Sequence, residues 1–210
     1  MKKIKDENTK QKILDCATKL FAMKGFNGTS IRDICKEANV NLCLISYYWG
    51  GKRELYLGII DNVIKRQTEY VKTFCDLKKM PSEMTQKERI NLIYLWIDKF
   101  IDFFYSDKIS PELITLILKE QQQKDFVKKS PAFLYFRALV ASLLNKDEND
   151  REVIFKTLFI LSQVNSPRIL TGLSLNLLNR DVFEDEDIKI IRDNVKSYIG
   201  ELIKKDSAYD

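Results

Sequence analysis

The segment of residues 29–55 constrains the fold of this chain more than any other part of its sequence. Thr29 and Ser30 are good N-cap residues, and Asp33 stands three positions after Ser30, as in a capping box. The apolar side chains at positions 31, 34, 35 and 38 fall on one face of a helix. The pattern therefore predicts a short amphipathic helix that begins directly after Ser30.

A tight turn and a second short helix follow this first helix. Asn39 can adopt the left-handed backbone conformation that a tight turn needs, and Val40 can fill the angle between the two helices. Asn41 can cap the next helix, LCLISYYW, which ends at Gly50. Two short helices at a steep angle over a tight turn are typical of a helix-turn-helix, whose second helix enters the major groove of DNA.

Side-chain spacing predicts which face of the second helix contacts DNA. Leu42, Ile45 and Trp49 are three and four positions apart, so they can share the inward face. The side chains that would then lie towards DNA are Cys43, Leu44, Tyr47 and Tyr48. One of the tyrosines could instead pack in an aromatic core, and Cys43 is either a small filler residue or an exposed redox-sensitive thiol. Tyrosine and leucine offer few strong hydrogen bonds to bases, so we expect phosphate contacts to dominate, with Leu44 near a thymine methyl group.

Residues 8–56 resemble the DNA-binding domain of TetR-family transcriptional regulators, with an AcrR-like helix-turn-helix. The residues that carry this resemblance are Thr29, Ile34, Ala38-Asn39-Val40-Asn41, Tyr47-Tyr48-Trp49 and Gly51-Lys52-Arg53-Glu54-Leu55. Asn39 replaces the usual glycine and Trp49 the usual phenylalanine of the family pattern. Residues 111–204 are similar to the C-terminal domain of the CecR-like branch of this family. The residues that carry this similarity are Ser130-Pro131-Ala132-Phe133 and Gln163 ahead of Pro167.

The resemblance implies roles for individual residues at the DNA. Thr29 corresponds to a phosphate contact at a helix N-terminus, and Lys52 to the phosphate-contacting lysine of the next helix. Tyr47 and Tyr48 correspond to positions that contact phosphate and base edges. The full set that we expect at the DNA is Thr29, Asn41, Cys43, Leu44, Tyr47, Tyr48 and Lys52.

Positive charge is concentrated in the predicted DNA-binding part. Residues 1–55 contain 11 Lys and Arg against 6 Asp and Glu, a net charge of +5, which equals the net charge of the whole chain. The rest of the chain therefore carries no net charge. This asymmetry is either ordinary solubilising charge or an electrostatic footprint for a polyanion, and the helix-turn-helix pattern favours the second reading.

The remaining sequence predicts an all-α fold. We expect helices over about 8–24, 51–74, 85–105 and 186–204, and the pairs Ser110-Pro111, Ser130-Pro131 and Ser166-Pro167 predict helix starts. The predicted architecture is a three-helix DNA-binding domain at residues 1–52. It is followed by a larger helical effector-binding and dimerisation domain at residues 53–210 (about nine helices). In the last helix, the stripe Ile188, Ile191, Val195, Tyr198, Leu202 either packs onto its own domain or forms a coiled-coil-like dimer face.

The family resemblance also implies a small-molecule pocket between the middle helices. The side chains that could line it are Trp96, Phe100, Phe103, Phe104, Gln121, Phe133 and Gln163, although each aromatic residue could equally be plain core. Such a lining would suit a hydrophobic or aromatic effector.

Several function classes have little support in the sequence. The chain contains no histidine, no phosphate-binding glycine loop and no paired-cysteine metal motif, so we expect no enzyme, cofactor or metal site. It has no long apolar run and no signal peptide, and its four cysteines are scattered, so we expect a cytoplasmic protein with no membrane partner. The predicted function is a repressor that binds a near-palindromic DNA operator as a homodimer and is released by a ligand. The alternatives are a DNA-bound adaptor that responds to a protein partner and, less favoured, a carboxylate-based enzyme.

Overall fold

The computed structural model describes residues 2–106, 110–120 and 130–206, and these residues form an all-helical fold without strands. The α-helices are α1 (Lys2–Gly28), α2 (Ile31–Ala38), α3 (Leu42–Trp49), α4 (Lys52–Lys72), α5 (Gln86–Phe104), α6 (Pro111–Glu120), α7 (Pro131–Leu143), α8 (Arg151–Ile169), α9 (Thr171–Leu178) and α10 (Asp185–Asp206), with a 3-10 turn at Pro81–Glu83. Seven of the ten helices follow α3. The predicted all-α class is confirmed.

Local capping signals placed most helix starts correctly. The hydroxyl oxygen of Ser110 accepts a hydrogen bond from the Leu113 N–H, and that of Ser130 accepts one from the Phe133 N–H, so both serines cap as predicted. The start predicted at the Ser166-Pro167 pair is wrong, because Pro167 lies inside α8, two residues before its end. A proline so close to a helix C-terminus removes one backbone hydrogen bond without interrupting a long stretch of helix.

The first helix is longer than predicted, since it begins at Lys2 rather than near residue 8. Gly25 breaks its regular geometry with a φ of 72°, a value that glycine adopts without steric cost. Beyond this break the Phe26 ring lies back against Phe21, with ring centroids 6.0 Å apart. The predicted glycine stop with an aromatic contact is therefore present, although helical structure resumes to Gly28.

The first of two compact units combines α1 to α3, most of α4, and α6. Its core is built from fully buried side chains of every one of these helices, including Ile13, Phe21, Ile34, Ile45, Leu55 and Leu116. Within this unit α1 packs against α2 of the helix-turn-helix, and α6 packs against α1. A functional boundary at residue 52 stays a prediction, because the compact unit includes later helices.

The second unit contains α5 and α7 to α10 around a separate apolar core. Its most buried side chains include Ile97, Phe136, Leu139, Ile160 and Val195. Arg192 of α10 pairs with Asp98 and Asp102 of α5 at 2.7 and 2.8 Å. Buried Val195 and these ion pairs attach α10 to its own unit, which favours domain packing over a free dimer face for this helix.

A row of large apolar side chains on α8 and α9 is instead exposed. Its members are Phe155, Leu158, Phe159, Ile169, Leu173, Leu177 and Leu178, with exposure reaching 76% at Leu177. Large apolar side chains that are exposed on two consecutive helices are typical of an interaction surface. No helix among the described residues has the length and apolar character needed to cross a membrane.

Candidate nucleic-acid interface

The N-terminus of α2 carries the capping box that the sequence predicts. The Asp33 N–H donates to the Ser30 hydroxyl at 3.1 Å, and the Ser30 N–H donates to the Asp33 carboxylate at 3.1 Å. The Ser30 hydroxyl also donates to the Asp33 carboxylate at 2.7 Å, and this bond, followed by the one from the Ser30 N–H, lowers the pKa of Asp33 below its usual value. At the other end Asn39 adopts the left-handed conformation, with a φ of 49°. Helix α2 is therefore fixed at both ends by local chemistry.

The second helix of the motif is capped by Asn41 and anchored by Ile45. The Asn41 carboxamide oxygen accepts a hydrogen bond from the Cys43 N–H at 3.0 Å. Ile45 is completely buried in the core of the first unit. This anchor fixes the rotation of α3 and hence the face that it presents to the outside.

The orientation predicted for the two leucines of α3 needs correction. Leu42, expected on the inward face, is 46% exposed. Leu44, expected at the DNA, is half-buried and packs against the core. Ile45 faces inward in both orientations, so they differ only by a smaller rotation of α3, which packs Leu44 and Tyr48 against the core and leaves Leu42 exposed. A DNA contact by Leu44 stays a prediction.

The outward face of α3 is formed by Leu42, Cys43, Ser46 and Tyr47. Tyr47 is 76% exposed, and its ring meets the edge of the Tyr48 ring at 5.1 Å. Tyr48 is half-buried against the core, so the aromatic-packing alternative applies in part to this residue. Leu42 and Ser46 were not among the predicted contacts. Ser46 lies three positions after Cys43 and four after Leu42, so helical spacing would have indicated both once the inward face was known.

Thr29 has a structural role that the sequence did not reveal. Its side chain is 1% exposed, and its hydroxyl lies 3.0 Å from the Leu20 carbonyl and 2.9 Å from the Gly25 carbonyl. The hydroxyl hydrogen is therefore directed at the end of α1. A phosphate contact at Thr29 stays a prediction.

Two lysines near the motif lie over aromatic rings. The Lys52 ammonium, at the start of α4, is 4.3 Å from the centroid of the Phe26 ring, and the Lys10 ammonium is 5.6 Å from the Trp49 ring. Such cation–π contacts orient a lysine without neutralising its charge. Lys52 is thereby held beside the C-terminal end of α3, where the predicted phosphate contact would need it.

The helix α6 is joined to the DNA-binding unit by polar contacts as well as by Leu116. The Lys119 ammonium donates to the Ala22 carbonyl at 2.6 Å, near the end of α1. The Tyr56 hydroxyl of α4 donates to the Glu120 carboxylate. Burial, together with this carboxylate, raises the pKa of Tyr56 far above its usual value.

The predicted effector contacts lie in the second unit, apart from Gln121, which is outside the described residues. Trp96 is buried and stacks on Tyr135 with centroids 5.7 Å apart. Phe103 stacks on Tyr70 at 5.0 Å, and Phe100 on Phe104 at 5.7 Å.

The other two predicted contacts are half-buried. Phe133 lies in the first turn of α7, and the Gln163 side chain donates to the Phe159 carbonyl of its own helix at 3.3 Å. None of these contacts tests ligand binding, so the effector site stays a prediction.

A cleft of about 470 Å³ lies elsewhere in the second unit. Its lining includes Pro81, Arg89, Ser142, Asn145 and Lys146, and none of the predicted effector contacts is among the lining residues. The Arg89 guanidinium donates to three backbone carbonyls there, those of Pro81, Ser82 and Ser142. The arginine therefore ties α5 to α7 and to the loop before α5.

Comparisons with known proteins agree with the geometry of the first unit. The family described as "Bacterial regulatory proteins, tetR family" matches residues 13–59, which run from the middle of α1 into the first half of α4. The chain is 34% identical over 87 residues to the probable HTH-type transcriptional regulator YttP of Bacillus subtilis (strain 168). This match spans 41% of each chain, less than half of the relative's length.

Two further comparisons cover almost the whole chain. The HTH-type transcriptional dual regulator CecR of Shigella flexneri is 24% identical over 226 residues, which cover 96% of this chain and 94% of that protein. The crystal structure of HlyIIR, a hemolysin II transcriptional regulator, is 26% identical with a TM-score of 0.52, covering 90% of this chain and 97% of that one. The similarity therefore extends beyond the helix-turn-helix into the second unit.

Proposed function

The chain belongs to the TetR family of transcriptional regulators, and we propose that it acts as a repressor that binds a near-palindromic operator as a homodimer. The observation that carries this proposal is the anchored, capped α3 with its exposed outer face. The net charge of +5 on residues 1–55 supports it, because phosphate neutralisation supplies much of the affinity for DNA. We propose repression rather than activation of transcription because of the family resemblance.

The test is a fluorescence anisotropy titration with DNA from the flanks of the protein's own gene, at several salt concentrations. We expect specific binding whose affinity falls steeply as salt increases. Tyr47→Ala should remove specificity, because Tyr47 is the most exposed large side chain of α3. Leu95→Ala, an exposed leucine of α5, is the matched control and should bind normally. Equal affinity for flanking and random DNA at every salt concentration would contradict an operator at this position.

We place the proposed dimer face on α8 and α9 rather than on α10. The exposed apolar row on these two helices supports this location, because burial of such side chains against a second copy would be favourable. Leu177→Asp should convert the dimer to a monomer in analytical ultracentrifugation and weaken operator binding, since both half-sites would no longer be occupied together. Leu95→Asp is the control. A Leu177→Asp protein that remains dimeric would refute this face.

The proposed effector is a hydrophobic or aromatic small molecule bound in the second unit. The support for such a ligand is the aromatic composition of this part of the second unit, where Trp96 lies beside Tyr135 and Phe103 beside Tyr70. A ligand releases the protein from DNA only if it binds the two conformational states with different affinity. A screen of aromatic compounds for loss of DNA anisotropy, repeated with Trp96→Leu, tests this part of the proposal. Release that is unchanged in the variant would exclude Trp96 as a contact.

A further inference from the structure

The outward face of α3 limits which bases the protein can read. The helix LCLISYYW contains no charged residue and no side-chain amide. The strongest direct contacts in a major groove come from Arg or Lys on guanine and from Asn or Gln on adenine. Helix α3 itself supplies neither kind of contact, and this inference rests on the proposed function of α3 as the reading helix.

The carboxamide next to this helix, that of Asn41, already makes a hydrogen bond within the protein. A bidentate contact to adenine requires both the oxygen and the nitrogen of the Asn side chain. In Asn41 the oxygen accepts the Cys43 N–H at 3.0 Å, because this residue caps α3. Asn41 could make the bidentate adenine contact only by giving up the helix cap.

The side chains that remain on the face carry neither a charge nor an amide group, and Leu42 is its large aliphatic member. Leu42 is 46% exposed and stands next to Cys43, while Ser46 and Tyr47 contribute two hydroxyls. In the major groove the apolar group of a base pair is the C5-methyl of thymine. Guanine would instead present the O6 and N7 acceptors to Leu42, which has no donor, and would lose their hydration without compensation. The base pair that lies against Leu42 is therefore expected to present a thymine.

Basic side chains flank this face without belonging to it. Lys52 lies at the start of α4 over the Phe26 ring, and Arg32 and Lys36 are exposed on α2. Positions outside the reading helix suit phosphate contacts, which orient a protein on DNA but carry no sequence information. The basic side chains around α3 thus contribute affinity for DNA, and the outward face of α3 determines which base sequence is preferred.

We infer that each operator half-site is read mainly through thymine methyl groups, with Leu42 as a specificity-determining residue. The operator positions under α3 are then A·T pairs with thymine methyls against Leu42 and its neighbours. Burial of one methyl group accounts for about a fourfold change in affinity, and for about 16-fold when it is removed from both half-sites.

The test begins with selection of a binding site from a random DNA library by the full-length protein. Each thymine of the selected site is then replaced by deoxyuridine, which keeps the Watson–Crick pairing and lacks only the methyl group. We expect at least one symmetric thymine pair whose replacement weakens binding about 16-fold. In Leu42→Ala the same replacement should have little effect, because the partner of the methyl group is gone. Leu95→Ala is the matched control and should keep the full deoxyuridine effect.

The outcomes separate this inference from the proposed function. A selected site whose affinity is unchanged by every deoxyuridine replacement would overturn the thymine reading and leave operator binding intact. A deoxyuridine effect of full size in Leu42→Ala would overturn the role of Leu42. Failure to select any site would contradict the proposed function itself, and the inference with it.

Discussion

Replacement of Thr29 by valine distinguishes a structural from a DNA-binding role of its hydroxyl. Valine keeps the branched shape of threonine and removes only the hydroxyl group. In the structure this group is buried and lies within 3.0 Å of the carbonyls of Leu20 and Gly25. Its removal deletes a hydrogen bond in a buried site, which costs about 1 kcal/mol.

The measurement is urea denaturation of the full-length protein, followed by circular dichroism, together with amide hydrogen exchange of α1 and α2. We expect a lower urea midpoint for Thr29→Val at an unchanged slope, because a changed slope would indicate a different unfolded state. Exchange should accelerate in the first unit and not in α7 or α10. Thr29→Ser keeps the hydroxyl and is the control.

A different result would support the role that the family resemblance assigns to Thr29. If Thr29→Val had the stability of the wild type and bound DNA more weakly, the hydroxyl would act mainly on phosphate. The buried hydrogen bonds described above would then contribute nothing measurable. Loss of both stability and affinity, restored in Thr29→Ser, is the outcome that the structure predicts.

Two further predictions concern stability. Thr85 and Glu88 form a capping box at the start of α5, and their hydrogen bonds lower the pKa of Glu88 from 4.5 to about 2. The wild-type protein should therefore be more stable than Glu88→Gln at neutral pH. This difference should disappear as the pH falls from about 4.5 to about 2, because the carboxylate then becomes protonated. A difference that stays constant in acid denaturation curves would refute the link between this carboxylate and stability. Gly25→Ala should destabilise the first unit by about 1 kcal/mol, because Gly25 has a φ of 72° with open space around it, so that backbone strain alone is measured; an unchanged urea midpoint would show that this strain is absent.

Local chemistry explains which parts of the fold the sequence predicted. The capping box of Ser30 and Asp33, the left-handed Asn39 and the cap at Asn41 depend on neighbouring residues only, and all are present. The serine caps of α6 and α7 belong to the same class. Signals of this kind can be read directly from a sequence.

The errors came from features that depend on packing between distant residues. Whether Leu42 or Leu44 lies closer to the core depends on a small rotation of α3 about the buried Ile45, and both leucines suit either position by composition. Pro167 was read as a helix start because Ser166 precedes it, but the fold continues α8 past this point. The inclusion of Leu116 in the core of the first unit has no local signal at all.

The position of α6 in the first unit has a consequence for the order of folding. The DNA-binding unit is discontinuous, since Lys119 bonds a carbonyl 97 residues earlier in the chain, at Ala22. A nascent chain that has emerged only as far as α4 still lacks Leu116 and leaves part of this core uncovered. Contacts of such sequence separation form late and slow the folding of a domain. The ribosome must therefore deliver more than half of the protein before the helix-turn-helix has its complete support.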